Sequence, residues 1–160
     1  MIIGVTGYLL AGKDSVAGYL IKKGYHHYSL SDELRSILAE RGIVSNRDNQ
    51  VKLGNELRAQ YGSGYLAERV LKKTIQPSVI TSIRNPGEIE ALKKSADFRL
   101  IFIDAPLRIR YERMKTRRRE GEESVTYEKF QAQEKREKSS DPNALQLHRV
   151  RRSENPRVSA

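Results

Sequence analysis

The chain has 160 residues, a formal net charge of +10 from 30 Lys and Arg against 20 Asp and Glu, 38% hydrophobic residues and no cysteine. That length suits one domain with a substantial core; the missing thiols rule out disulfides and cysteine-based metal sites, and no apolar run approaches the ~20 residues a membrane span needs. The basic excess suits a polyanionic ligand such as a nucleotide, coenzyme or nucleic acid, and Met1, leading straight into an apolar run without a basic leader, predicts a cytoplasmic protein with no signal peptide.

In chain order, residues 2–6 read as a strand. Gly7-Tyr8-Leu9-Leu10-Ala11-Gly12-Lys13-Asp14-Ser15 follows, and Val16, Ala17, Leu20 and Ile21 then recur at helical spacing over residues 12–23. A strand, a G-x-x-x-x-G-K turn and a helix N-terminus make a phosphate cradle. The glycines let backbone N–H groups turn inward, and Lys13 reaches the phosphates. Gly7, Leu10, Ala11, Gly12, Lys13, Asp14 and Ser15 are therefore the expected nucleotide contacts. Asp14 stands where a Ser or Thr commonly ligates Mg²⁺, so Asp14 and Ser15 are the candidate metal ligands.

Residues 25–30 read as a short strand. A helix capped by Ser31 or Asp32 then runs towards residue 41, and another starts at Asn46 or Asp48 and breaks at Gly62 and Gly64. Residues 66–75 are helical again. Residues 79–83 form a buried-type strand, Pro86 opens a further helix, and residues 98–103 are the next strand, closed by Asp104-Ala105-Pro106. A basic helix follows, in a stretch where residues 108–119 hold seven basic side chains and one acidic one, Glu112. A polar loop at 121–124 and a charged helix at 127–138 come next. Strands alternating with helices predict an α/β domain with a parallel sheet covered on both faces.

Ligands bind at the carboxyl ends of such strands, which directs attention to the residues just after them. Asp32 and Arg35, three apart on one helix face, are either an N-cap with a solvated arginine or a carboxylate and phosphate clamp at an acceptor. Arg84 leaves a buried strand, where a guanidinium needs an anion: an acceptor phosphate, or a structural partner such as Glu88. Arg110, Arg113 and Arg117 recur on one face of the basic helix. Opposite a phosphate loop they read as a lid that neutralises the transferring phosphoryl group and excludes water. Arg58 is an acceptor-contact candidate on the inserted helices.

Together these segments resemble the P-loop nucleotide kinases related to dephospho-CoA kinase and deoxynucleoside monophosphate kinase, and are similar above all to the kinase-like domain found with deoxycytidylate deaminases. The Gly-Lys-Asp form of the loop, Ser29 to Arg35, Ser82-Ile83-Arg84-Asn85-Pro86 and Ile103-Asp104-Ala105-Pro106 carry the likeness. It implies ATP and Mg²⁺ on the loop, Arg84 on the acceptor phosphate, Asp32 and Arg35 beside the acceptor, and lid arginines at Arg113 and Arg117. Lys13, Asp32, Arg84, Arg113 and Arg117 would then carry catalysis.

The expected organisation is a kinase domain at 1–138, with acceptor helices at 31–75 and a lid at 106–125, and an irregular basic tail at 139–160. The fold the resemblance implies is a three-layer α/β P-loop domain around a parallel sheet of order 2-3-1-4; relatives continue after a segment like Ser140-Asp141-Pro142-Asn143 into a fifth strand, whereas this chain turns to charge, so the expected fold lacks that edge strand. The expected activity is ATP-dependent phosphorylation of a small phosphorylated acceptor, foremost a (deoxy)nucleoside monophosphate. The alternatives are dephospho-CoA as acceptor and a nucleotide-binding regulatory module without catalysis. The expected partner is a small molecule. A nucleic-acid partner is disfavoured because Tyr111 is the one aromatic among residues 108–119, no membrane partner is expected, and an oligomer is compatible with the sequence.

Overall fold

Strand β1 (Ile2–Gly7) is buried at every position, and its side chains alternate between two apolar cores. Ile2 joins Leu30, Leu38, Leu57, Leu66, Ile80 and Leu92 on one face, while Ile3 and Val5 join Ala17 and Val79 on the other. A strand covered on both faces is what a parallel sheet demands. The computed structural model describes residues 1–117, 125–136, 146 and 150. Besides β1, it places α1 (Lys13–Lys22), β2 (His26–Ser29), α2 (Leu30–Glu40), α3 (Arg47–Tyr61) and α4 (Tyr65–Leu71) in the first half of the chain. Then follow β3 (Ser78–Thr81), α5 (Pro86–Lys93), β4 (Phe98–Ile103), α6 (Leu107–Arg117) and α7 (Tyr127–Arg136).

Among the described residues the sheet has four parallel strands in the order β2-β3-β1-β4, the order the resemblance implies. Helices α2 to α5 contribute to the larger core and α1 to the smaller. The fold is thus an α/β P-loop NTPase fold. No helix among the described residues is long and apolar enough to cross a membrane.

Several boundaries follow capping chemistry. Asn46 caps α3, accepting from the Asn49 N–H at 2.8 Å. Asn85 caps α5 in a capping box with Glu88, with Pro86 at the first helical position. Helix α2 differs from expectation: it starts at Leu30, so Ser29, still extended, is its cap position, with no side-chain bond to the helix. The strand feeds the helix directly. Helix α4 ends at Leu71, short of residue 75, where the Lys73 and Thr74 N–H groups turn back to the Val70 and Leu71 carbonyls. β3 stops at Thr81 because Ser82 adopts φ 64° and turns the chain; Ile83, expected as the strand's end, stays in the core.

Two charged side chains are buried as joints. Glu33, on α2, is 5% exposed and pairs with Arg69 and Lys73 beyond it. Hydrogen bonds that Arg69 donates to Tyr65 and Glu33 hold its pKa above its ordinary value. Glu88, on α5, pairs with Arg58 of α3 at 3.0 Å, the two side chains 1% and 3% exposed.

Of the segment expected to be an irregular tail, Gln146 and Val150 alone are described, and both are interior. The Gln146 N–H donates to the Arg84 carbonyl at 2.9 Å, and Val150 is 0% exposed within the larger core. The remainder of 139–160, and residues 118–124 of the expected lid and polar loop, lie outside the described residues.

Removing one member of a buried ion pair strands the other charge, a loss of about 3–5 kcal/mol. Glu88→Ala is expected to lose that much in urea denaturation, against a small change for the exposed pair variant Glu56→Ala. Gly7 has φ 141°, and a Cβ there would lie 1.9 Å from the Ile103 carbonyl oxygen. Gly7→Ala is therefore expected to lower the unfolding midpoint in a thermal melt, by several degrees or more.

Candidate functional site

All four strands end at one edge of the sheet, and that edge carries the candidate residues. Gly7 closes β1 with its backbone against Ile103, the last residue of β4. The chain then makes a tight turn in which the Ala11 N–H returns to the Tyr8 carbonyl at 3.2 Å. Leu10 (φ 62°) and Gly12 (φ 110°) both have left-handed backbone. No side chain caps α1, which leaves the positive end of its helix dipole at the loop. That arrangement suits a phosphate chain.

Lys13 Nζ donates to the Tyr8 carbonyl at 2.6 Å, which holds the ammonium over the loop it would serve. Asp14 and Ser15 lie exposed in the first turn of α1. Among the described residues no group of three or more His, Cys, Asp or Glu gathers to hold a metal. Mg²⁺ commonly uses one or two carboxylates with phosphate oxygens and waters, so the Asp14 carboxylate beside a phosphate cradle fits that ion.

On the β2–β3 side a cavity with an empty volume of about 520 Å³ opens between α2, α3 and the end of β3. Arg47, Arg58 and Arg84 supply its positive charge, Leu30, Leu34, Val51 and Leu66 its apolar wall, and Ser31, Gln50 and Ser82 neutral polar groups. The left-handed Ser82, whose hydroxyl meets that of Ser29 at 3.1 Å, delivers Arg84 to this cavity. Glu88 does not form the salt bridge weighed for Arg84. One of its oxygens takes the Arg58 guanidinium, and the other accepts the Arg84 and Asn85 backbone N–H groups at 2.7 and 3.1 Å. Arg58, read as an acceptor contact, is on the cavity wall, but its guanidinium is engaged by Glu88.

Asp32 and Arg35 do face each other, with Arg35 Nε donating to Asp32 Oδ1 at 3.0 Å. Both are about half exposed, and neither lines the cavity. Their helix starts two residues earlier than the sequence suggests, which puts Ser31 on the wall instead. Across the loop, Arg113 Nη1 donates to the Leu10 carbonyl at 3.0 Å, so α6 is docked on the phosphate loop. Arg117 ends α6, next to residues outside the description.

Two contributors escaped sequence reasoning, and a third, Arg110, was read as a lid arginine but is buried. Arg47 and Gln50 occupy the polar first turn of α3, where the only signal was their one-turn spacing. Arg110 is 3% exposed and donates to the Ala105 and Leu9 carbonyls at 2.7 and 3.4 Å. It was visible as part of the basic stripe, but nothing in the stripe marked it as the buried member.

With this geometry in view, the comparisons with known proteins are informative. A family model described as an AAA domain matches residues 3–136. A UPF0200/UPF0201 protein of Archaeoglobus fulgidus is 32% identical over 86% of this chain, which spans 45% of that protein's length. A UPF0200 protein of Pyrococcus abyssi is 30% identical over 86% of the chain and is spanned to 78%. Among solved structures, TT1252 from Thermus thermophilus matches over 100% of this chain and 98% of its own, with a TM-score of 0.53 at 20% identity. A chain of the Pnkp1/Rnl/Hen1 RNA repair complex matches over 81% of this chain and 41% of its own, with a TM-score of 0.52 at 13% identity. These two likenesses bear on the fold. The chain belongs to the UPF0200 proteins, built on an AAA domain of the P-loop class.

Proposed function

We propose that this protein transfers the γ-phosphoryl group of ATP to a small phosphorylated acceptor, foremost a (deoxy)nucleoside monophosphate. One observation carries the reading: the phosphate loop and the arginine-bearing cavity lie at the same sheet edge, the cavity roofed by α2 and α3. A cationic floor with an apolar wall fits an acceptor that joins a phosphate to a planar, weakly polar group.

In this reading the amides of the loop and of the first turn of α1 bind the donor's phosphates. Lys13 exchanges the Tyr8 carbonyl for a phosphate oxygen. Arg84 fixes the acceptor's phosphate and so brings its free oxygen into line with the γ-phosphorus. That oxygen forms the new P–O bond as the bond to the β-phosphate bridge breaks, and ADP departs with the bridging oxygen. Arg113 neutralises charge on the group in transit, and Arg117 completes the lid. Asp32 and Arg35, paired on the adjoining helix, lie beside the acceptor's approach. Mg²⁺, held by Asp14 and Ser15, would supply charge neutralisation at the phosphates.

A second reading, a nucleotide-binding module without catalysis, is favoured by Ser82, which puts a hydroxyl where a carboxylate at the end of β3 would help hold the metal. The resemblance to dephospho-CoA kinases makes dephospho-CoA the alternative acceptor.

A coupled ADP-release assay across nucleoside monophosphates, their deoxy forms and dephospho-CoA decides among these. The expected result is acceptor-stimulated turnover, reduced at least about a hundredfold in Lys13→Ala through lost electrostatic stabilisation. Arg84→Ala is expected to raise the acceptor's KM far more than the donor's. Binding of ATP in calorimetry with no stimulated turnover selects the non-catalytic module.

A further inference from the structure

Three successive carbonyls of the phosphate loop each accept from a cation: Tyr8 from Lys13 at 2.6 Å, Leu9 from Arg110 at 3.4 Å and Leu10 from Arg113 at 3.0 Å. Lys13 and Arg113 have phosphates to turn to. Arg110 has none, because its side chain is enclosed. Its Nε donates to the Ala105 carbonyl at 2.7 Å, its guanidinium lies 5.0 Å from the centroid of the Tyr8 ring, and its Nη2 is paired with Glu134 of α7. Tyr8 in turn packs edge-on against Phe102 of β4, the ring centroids 5.5 Å apart.

Burying a guanidinium against one carboxylate seldom stabilises more than an apolar side chain of the same volume, so packing alone does not call for arginine here. What arginine offers is a rigid planar fork. This fork joins segments that are remote in sequence: the outer side of the phosphate loop, the turn after β4, and α7.

We propose that Arg110 is a positioning residue for phosphoryl transfer. It fixes the carbonyl side of the phosphate loop, which aims the opposite, amide side at the donor's phosphates, and Glu134 fixes Arg110 in turn. The proposal rests on the reading of the loop as the ATP site. It makes α7, which contributes nothing to the cradle directly, a support for the donor site but not for the acceptor cavity.

The test uses the full chain with Arg110→Lys, which keeps the charge but loses the fork, Arg110→Met, which keeps much of the volume, and Glu134→Gln. MgATP and nucleoside monophosphate affinities are measured by calorimetry, amide hydrogen exchange at residues 8–12 is followed without ligand, and unfolding midpoints are recorded. Both Arg110 variants are expected to bind MgATP on the order of tenfold more weakly, the scale of one charge-assisted hydrogen bond. Glu134→Gln should show a smaller loss in the same direction. Exchange at 8–12 should quicken, with acceptor affinity unchanged; Arg110→Met takes the buried partner from Glu134 and should lower the midpoint, which the double variant Arg110→Met/Glu134→Gln should largely restore.

Wild-type MgATP affinity and exchange in both Arg110 variants would overturn the proposal while leaving the ATP site standing. So would parallel losses of donor and acceptor affinity with a lowered midpoint, the pattern of a merely structural residue. A wild-type protein that binds no MgATP would remove the ATP reading and this inference together.

Discussion

The carboxylate of Glu88 is the hinge on which the cavity side of the molecule depends. It is nearly sealed from solvent, where a lone charge would be untenable, and it is accommodated because donors meet both of its oxygens. The Arg58 guanidinium approaches from α3, and the Arg84 and Asn85 amides approach from the turn after β3. A helix that carries one wall of the cavity and a turn that delivers its principal arginine are thus referred to a single anion. Arg84 is rigidly presented because its own backbone, rather than its side chain, is spent on Glu88.

The loop side is organised differently, through carbonyls. A glycine-rich loop that turns its amides inward must turn its carbonyls outward, and buried or crowded carbonyls need donors. Here Lys13, Arg110 and Arg113 provide them, two from α6 and one from α1. The basic stripe that makes the chain so positively charged is therefore not simply a solvated surface. One arginine is interior, one is docked on the loop, and others on the same helix, such as Arg108, face water. Charge at this helix is sorted by depth.

The alternation of strands and helices, the phosphate loop, the Asn46 cap and the start of α5 at Pro86 were legible because each rests on local chemistry: the spacing of apolar residues, glycines at a turn, a side-chain oxygen before a helix, a proline in a first helical turn. What was illegible depends on partners far along the chain. The sequence around Glu88 is that of an ordinary capping box, and only the fold brings Arg58, 30 residues away, onto its second oxygen. Arg110 reads like its neighbours until α7 supplies Glu134. Arg47 and Gln50 look like a solvated first turn, and become cavity wall only because α3 lies across the end of the sheet. The boundary of α2 was misplaced for a simpler reason: a strand that passes into a helix without a loop leaves no turn residues to read.

Val150 is buried among side chains contributed by residues 2 to 92, and Gln146 is bonded to the carbonyl of Arg84. Both contacts close over long sequence separations, which form late because their loop-closure entropy must be met before they contribute stability. During synthesis, the phosphate loop meets its partners on β4 and α6 before residue 146 is made, whereas the Arg84 turn has yet to meet Gln146. A nascent chain thus has the means to shape the loop before the Arg84 turn receives that last bond.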